Sequence, residues 1–310
     1  MTSIVTVTLN PAVDISAEIQ ELVPSEKLRC YHVVTELGGG GINVSRVISE
    51  LNGSSKSIVA LGGPTGAHFA QLMKDDDFDM RIVQIRGMTR QSISITDSAT
   101  NSQYRFVLPG PEFVNDEWEN AFNLITEAMS SANYIILSGS LPPGVPTEIF
   151  GDIARVAGMA KVVVDSSDES LAEALRVGVY LAKPNLAELR RLAGRPLDGS
   201  GEVEAYARDV VSNGWTEILA VSMGQRGALL TTRDTQVLVP APEIAPRSSV
   251  GAGDSFVGAM VLSLSRGQDP IDACRYGVAA GAAALLTPGS QLCKREDVER
   301  LYETMIAYVK

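Results

Sequence analysis

The stretch RSSVGAGDSFVGAM, Arg247–Met260, decides how the chain is read. Gly251 and Gly253, separated by Ala252, make a turn whose backbone N–H groups point outward, because glycine adopts conformations denied to other residues. Behind them Val257, Met260, Val261 and Leu264 recur at the 3.6-residue period, so the turn opens onto a helix with an apolar stripe. The first N–H groups of a helix lack partners within it and favour anions. Asp254, itself an anion, stands in that first turn. It would repel a bound phosphate unless the carboxylate has chemistry to perform there.

Outward from this segment, β-rich runs alternate with helical patterns. SIVTVTL, KSIVAL, NYIILS, AKVVVD, GVYLAK and TEILAVS are strand-like, and several are apolar enough to be buried on both faces. In GINVSRVISEL the residues Val44, Val47, Ile48 and Leu51 form one stripe, and Val298, Leu301, Met305 and Ile306 form another near the C-terminus. Alternation of this kind predicts an α/β fold with a mostly parallel sheet and helices on both faces. Two excursions, at 13–37 and 87–108, break the pattern with short β-like runs. SISITD and QYRFVL flank the turn-rich SATNS as a hairpin would. Together they suggest a small sheet covering the mouth of a site.

At 310 residues, with 45% hydrophobic and 20% charged residues, the chain suits one large globular domain. No apolar run reaches the roughly 20 residues that span a bilayer, so no membrane partner is expected. MTSIVTVTLNP reads as an alternating strand, not a basic-headed signal peptide. The irregular Cys30, Cys274 and Cys293 offer no disulfide framework, which points to the cytoplasm. His32 and His68 are too few for a zinc site, and KDDDFD, from Lys74 to Asp79, reads as a solvated loop. A net charge of −11 argues against a nucleic-acid partner, yet permits a local basic pocket for a small anion.

A second glycine cluster, ELGGGGINVSR from Glu36 to Arg46, also opens onto a helix, and Asn43 adds an amide that both donates and accepts. Neither cluster completes G-x-x-x-x-G-K-[ST] or G-x-G-x-x-G, which argues against a P-loop NTPase or a typical NAD enzyme. In AKPNLAEL, Asn185 and Glu188 lie three apart and would share one helix face, where amide and carboxylate could orient a hydrated Mg²⁺. A solvated helix face is the plainer explanation of that spacing. VSMGQRGALL adds a tight turn at a strand end, where open sheets bind ligands, and would otherwise be a simple hairpin. Lys27, Arg29, Arg90 and Arg105 fall within the two β excursions, and inward-facing cations there could hold a phosphate.

Taken together, TLNPAVD, GGGGINVSR, TRQ, SGSLPPG, VDSS, KPNLAEL, VSMGQRGAL and VGAGDSF resemble the PfkB, or ribokinase-like, family of carbohydrate kinases over nearly the whole chain. The likeness is greatest to its phosphosugar branch, and especially to the minor bacterial 6-phosphofructokinases. It implies a three-layer α/β/α kinase domain spanning 1–310, with a small β-sheet lid from the two insertions, and a homodimer formed through the lids. It also implies ATP-dependent transfer of phosphate to the C1 hydroxyl of fructose 6-phosphate. Fructose 1-phosphate or tagatose 6-phosphate would be alternative acceptors, and a non-catalytic sugar-phosphate regulator an alternative class. By the same resemblance Asp254 is the base and Gly251, Ala252 and Gly253 the anion hole. Asp14, Lys27, Arg29, Gly38, Gly39, Asn43, Arg90 and Ser138 match sugar-phosphate positions. Lys183, Asn185, Ser222, Gly224, Gly227 and Ser249 match positions around ATP, and Glu188 completes the N-x-x-E motif linked to Mg²⁺. A potassium region of some relatives matches Ser248, Val250, Ala284, Thr287, Gly289 and Gln291, with Gln291 replacing an arginine. Asn52 replaces the usual Gly or Ser of the first family signature and tolerates left-handed backbone. The helix dipole is expected to favour ionised Asp254, making it a modest base.

Overall fold

A computed structural model describes residues 3–74, 79–246, 250–287 and 291–307. Residues 75–78 of the KDDDFD loop lie outside them. The chain begins with β1 (Ile4–Thr8), β2 (Ala12–Ile19), β3 (Tyr31–Gly38), α1 (Gly40–Glu50), β4 (Lys56–Leu61), α2 (Gly63–Lys74) and β5 (Asp79–Gln84). There follow β6 (Arg90–Asp97), β7 (Ser102–Val107), α3 (Asn115–Met129), β8 (Tyr134–Ser138), α4 (Ile149–Val156), β9 (Lys161–Asp165), α5 (Asp168–Val177) and β10 (Val179–Ala182). The remainder is α6 (Leu186–Ala193), α7 (Glu202–Ser212), β11 (Thr216–Ser222), β12 (Ala228–Thr232), β13 (Gln236–Val239), α8 (Ala252–Ser265), α9 (Pro270–Ala284) and α10 (Arg295–Ala307).

Among the described residues the larger sheet has nine strands in the order β13-β12-β11-β10-β9-β8-β1-β4-β5. Pairing is parallel from β5 across to β11 and antiparallel for β12 and β13. Its central strands alternate between two cores, as the period of two requires. Val5, Val7, Ile135, Leu137, Val162 and Val164 pack with α3, α4 and α5 residues such as Ile125, Ile153 and Leu171. Ile4, Ile136, Val163 and Leu181 face the other way, toward residues of α1, α8, α9 and α10. This is the three-layer arrangement expected of the sequence. Helix α8 departs from the one-stripe expectation: every residue from Ser255 to Leu264 is buried. It lies inside the helical layer, with α1 and α9 packed against it. Asn52, just after α1, takes the left-handed conformation at φ 56°.

The two excursions form a separate four-stranded sheet, β3-β2-β6-β7. The register puts Asp14 beside Ser92, and Ser94 between Ser16 and Arg105, so one face is largely polar. Ile15, Ile93 and Phe106 share the opposite face with Ile95 and Tyr104, and Phe106 is 52% exposed. Both histidines are exposed; His32, on β3, pairs with Glu18 at 3.3 Å.

Candidate active site at the switch point of the sheet

From β1 the chain proceeds to β4 and β5 on one side, then returns to β8 on the other. The crevice beyond the carboxyl ends of β1 and β8 is where an open α/β sheet accepts a ligand. Thr8 Oγ1, Asn10 Oδ1 and Ser138 Oγ are buried around these strand ends without a hydrogen-bond partner among the described residues. Since buried polar groups are nearly always paired, such orphans mark a place prepared for an incoming donor or acceptor. The glycine run between β3 and α1 passes directly over the strand ends. A Cβ on Gly40 would overlap Ser138 Oγ, and one on Gly38 would overlap the Asp14 carboxylate, so neither position has room for a side chain.

Asp14 and Arg90 lie on neighbouring parallel strands. Arg90 donates from Nη2 and Nε to the carbonyl of Asn10 at 3.1 and 3.3 Å. Burial lowers the pKa of Arg90, with Asp14 opposing. Burial also pushes Asp14 up to about 6 against the pull of Arg90 and Arg105. Lys27 and Arg29 are not brought into this group: both lie exposed on the connection from β2 to β3. No hydrogen bond or ion pair joins them to Asp14 or Asp254 among the described residues.

Asp254 stands in the first turn of α8. Gly251 caps the helix in the left-handed conformation at φ 75° and provides no side-chain acceptor, so the leading N–H groups remain available to an anion. Asn43 Nδ2 donates to Asp254 Oδ2 at 2.8 Å, joining the two glycine motifs. Burial pushes Asp254 up to about 7, and the charge of Asp165 adds to the rise; Asn43 and Lys183 oppose it. This overturns the expectation from the helix dipole. A dipole contributes about 1 kcal/mol, whereas desolvation of a carboxylate reaches several pH units. Asp254 is therefore poised near neutrality.

Lys183 follows β10 and is buried, with its Nζ 3.0 Å from Asp165 Oδ1 at the end of β9. Burial alone would lower its pKa, but Asp165, Glu188 and Asp254 outweigh that and raise it. The N-x-x-E segment is arranged differently from a shared helix face. Asn185 is the N-cap of α6: its Oδ1 accepts from Glu188 N at 2.9 Å, and Glu188 Oε2 accepts from Asn185 N at 2.8 Å. The motif is a capping box, which the three-residue spacing fits equally well. Burial raises the pKa of Glu188, opposed by its bond to Asn185 and by Lys183. The VSMGQRGALL segment is indeed a hairpin, β11–β12, and Ser222 at its start bridges to Asn185.

Asn185, Ser222, Gly224, Gly227, Ala252 and Gly253 line one cavity of about 960 Å³. Apolar residues Ile244, Phe256, Val278 and Leu285 also stand in its walls. Motif reading missed these four: Phe256, Val278 and Leu285 have the helical spacing of ordinary core, and Ile244 lies on an irregular connection with no motif. It also gave Asp165 no role, although ending a buried parallel strand was a usable signal. In the proposed cation region Thr287 Oγ1 lies 2.7 Å from the carbonyl oxygen of Ala284 and 2.8 Å from that of Gln291, either of which can accept its one hydrogen. Ser248, Ser249 and Gly289 lie outside the described residues. Those residues contain no group of three His, Cys, Asp or Glu able to cage a metal directly.

A three-layer α/β/α fold with an acid at a glycine-capped helix, between a polar crevice and an apolar slot, suits a kinase of small polar molecules. Residues 6–297 match the model of the pfkB family carbohydrate kinases, and the chain belongs to that family. It is thus a phosphotransferase acting on a sugar hydroxyl. It is 39% identical over 302 residues to ATP-dependent 6-phosphofructokinase isozyme 2 of Mycobacterium tuberculosis, covering 97% of this chain and 89% of that one. It is 39% identical over 305 residues to the Escherichia coli isozyme 2, covering 97% and 98%. A 1-phosphofructokinase of Bacillus subtilis is 30% identical over 300 residues, covering 96% and 97%. The Escherichia coli phosphofructokinase-2 structure with potassium superposes with a TM-score of 0.95, at 38% identity, over 99% of this chain and all of that one. The complex of that enzyme with fructose-6-phosphate gives 0.93 at the same identity and coverage. A ribokinase of Thermotoga maritima, 20% identical, shares the fold with a TM-score of 0.78 over 98% of this chain and all of that one.

Proposed function

We propose that this chain transfers the γ-phosphate of ATP to the C1 hydroxyl of fructose 6-phosphate, giving fructose 1,6-bisphosphate. The carrying observation is the position of Asp254 between two compartments. Behind it, Ala252 and Gly253 line the cavity of about 960 Å³, whose apolar walls suit a purine. Ahead of it lie Asn43 and the crevice that holds Asp14 and the orphaned Ser138 hydroxyl. The 39% identity to two 6-phosphofructokinases, against 30% to a 1-phosphofructokinase, favours this acceptor.

Phosphoryl transfer requires in-line positioning and neutralisation of charge more than covalent chemistry. Asp254 takes the proton of the attacking hydroxyl. The N–H groups opening α8 stabilise the moving phosphoryl group, and Lys183, held by Asp165, adds a positive charge beside them. Asp14, Gly38, Gly39, Asn43 and Ser138 receive the sugar. Arg90 binds its phosphate, and Lys27 and Arg29 join when the small sheet closes and excludes water.

The hard-oxygen donor set suits Mg²⁺ held through water: Glu188, oriented by Asn185, has one carboxylate oxygen outside the capping box. Bound there, the ion would neutralise triphosphate charge. Potassium is assigned beside Val250, Ala284, Thr287 and Gln291, where Thr287 gathers two carbonyl oxygens of the kind that bind it. Copies of the chain pair through the apolar face of the small sheet, where Phe106 is exposed; one relative of known structure is a tetrameric inhibited form. Among the described residues no helix is long and apolar enough to cross a membrane. ADP release should be measured over fructose 6-phosphate, fructose 1-phosphate and tagatose 6-phosphate. Absence of turnover on all three would overturn the phosphohexose reading, and preference for one of the other two would overturn fructose 6-phosphate as the acceptor.

A further inference from the structure

Asn43 and Asp254 are 211 positions apart, yet the amide of one is bonded to the carboxylate of the other. An ionised carboxylate only accepts, so Asn43 must present its nitrogen to Asp254 and turn its amide oxygen away. Asn43 stands in the first turn of α1, a helix whose Val44, Val47 and Ile48 are fully buried, so its backbone is anchored.

We infer that Asn43 is the positioning residue of the base, holding Asp254 Oδ2 still so that Oδ1 alone is presented to the sugar hydroxyl. The inference rests on Asp254 being the base. The amide oxygen that remains can accept from the same sugar, so one side chain links acceptor recognition to base orientation. A contact to the sugar alone would leave the titration of the free enzyme unaffected, whereas a bond to the base would not.

Four groups face Asp254 from four parts of the fold: Asp165 at the end of β9, Lys183 after β10, Asp14 on β2 and Asn43 on α1. Asp165 and Asp14 disfavour its ionisation. Lys183 and Asn43 favour it, Asn43 the more strongly. Lys183 divides its charge with Asp165 at 3.0 Å, so Asn43 is the donor devoted to this carboxylate. Removing it should disfavour the ionised base.

The test uses Asn43→Ala and Asn43→Leu, the second filling the space without an amide. The pH dependence of kcat and the titration of ¹³C-labelled aspartate carboxyls in the ligand-free protein are compared with wild type. The acid limb of kcat and the Asp254 resonance should both move upward by about one pH unit, with unchanged ATP affinity. At pH 7, where the wild-type carboxyl is about half ionised, this corresponds to roughly a fivefold loss of the ionised base. A raised KM for the sugar with neither the limb nor the resonance moved would overturn the inference and make Asn43 a sugar contact only. If Asp254→Asn retains most of its kcat, the base reading itself fails, a different outcome from an unmoved limb beside an inactive Asp254→Asn.

Discussion

Asp254→Asn tests two consequences of burial at once. In the folded protein the Asp254 carboxyl titrates near 7, against 3.8 for an ordinary aspartate. Folding therefore retains a proton that the unfolded chain releases. The resulting stabilisation is complete below the unfolded value and disappears as the pH rises through 7. Each pH unit in that window is worth about 1.4 kcal/mol, so wild type should lose up to about 3 kcal/mol between pH 5 and pH 7 from this group. Asparagine fills the same space and carries no titrating proton. The stability difference, mutant minus wild type, should accordingly grow by up to about 3 kcal/mol over that interval. At roughly 2 °C per kcal/mol the difference in Tm shifts by about 5 °C. Asp14, which titrates near 6, is common to both proteins and largely cancels. Thermal unfolding of the ligand-free proteins at pH 5, 6, 7 and 8 measures the trend. A pH-independent difference would refute the argument that desolvation outweighs the helix dipole. In the same variant kcat should fall by about 10²- to 10⁴-fold, with ATP and sugar affinities nearly intact. Retained turnover would remove the base assignment.

Arg90→Ala should raise KM for the phosphorylated sugar about 10- to 100-fold while KM for ATP stays the same, as steady-state kinetics will show; an unmoved sugar KM means the phosphate is held elsewhere. Glu188→Gln keeps an acceptor for the Asn185 N–H, so Tm should hardly change. The Mg²⁺ concentration for half-maximal activity should rise; an unchanged requirement would separate the capping box from metal binding. Phe256, 4% exposed, belongs both to the core and to the cavity wall. Phe256→Ala should cost about 3–5 kcal/mol in denaturant unfolding and raise KM for ATP.

The central strands were legible because burial on both faces leaves unbroken apolar runs such as Tyr134–Leu137 and Val162–Val164. The outer strands were not. In β5 the residues Asp79 and Arg81 are exposed, and such a strand has too little apolar character to announce itself. Motif spacing located the candidate residues but not their relations. Whether Asn185 and Glu188 share a helix face or cap the helix depends on where the helix starts, and three-residue spacing serves both. The sign of the Asp254 shift depends on solvent removed by distant segments, Asp165 among its neighbours, and so was invisible locally. Lys183 and Asp165 meet because β9 and β10 are adjacent and parallel, a fact of sheet order that neither segment carries alone.

The bond between Asn43 and Asp254 also sets a timetable. A chain made from its N-terminus has its central strands β1, β4 and β8 long before α8 exists. The glycine run and α1 are made early, but α1 packs against α8, so both the roof and the acid must wait for the late helices, which also supply walls of the cavity of about 960 Å³. Long-range closures of this kind form slowly, because loop entropy must be overcome before the contact contributes. An unfinished or C-terminally clipped chain would thus lack both Asp254 and the packing that holds α1 in place. Turnover becomes available only when the fold is nearly complete.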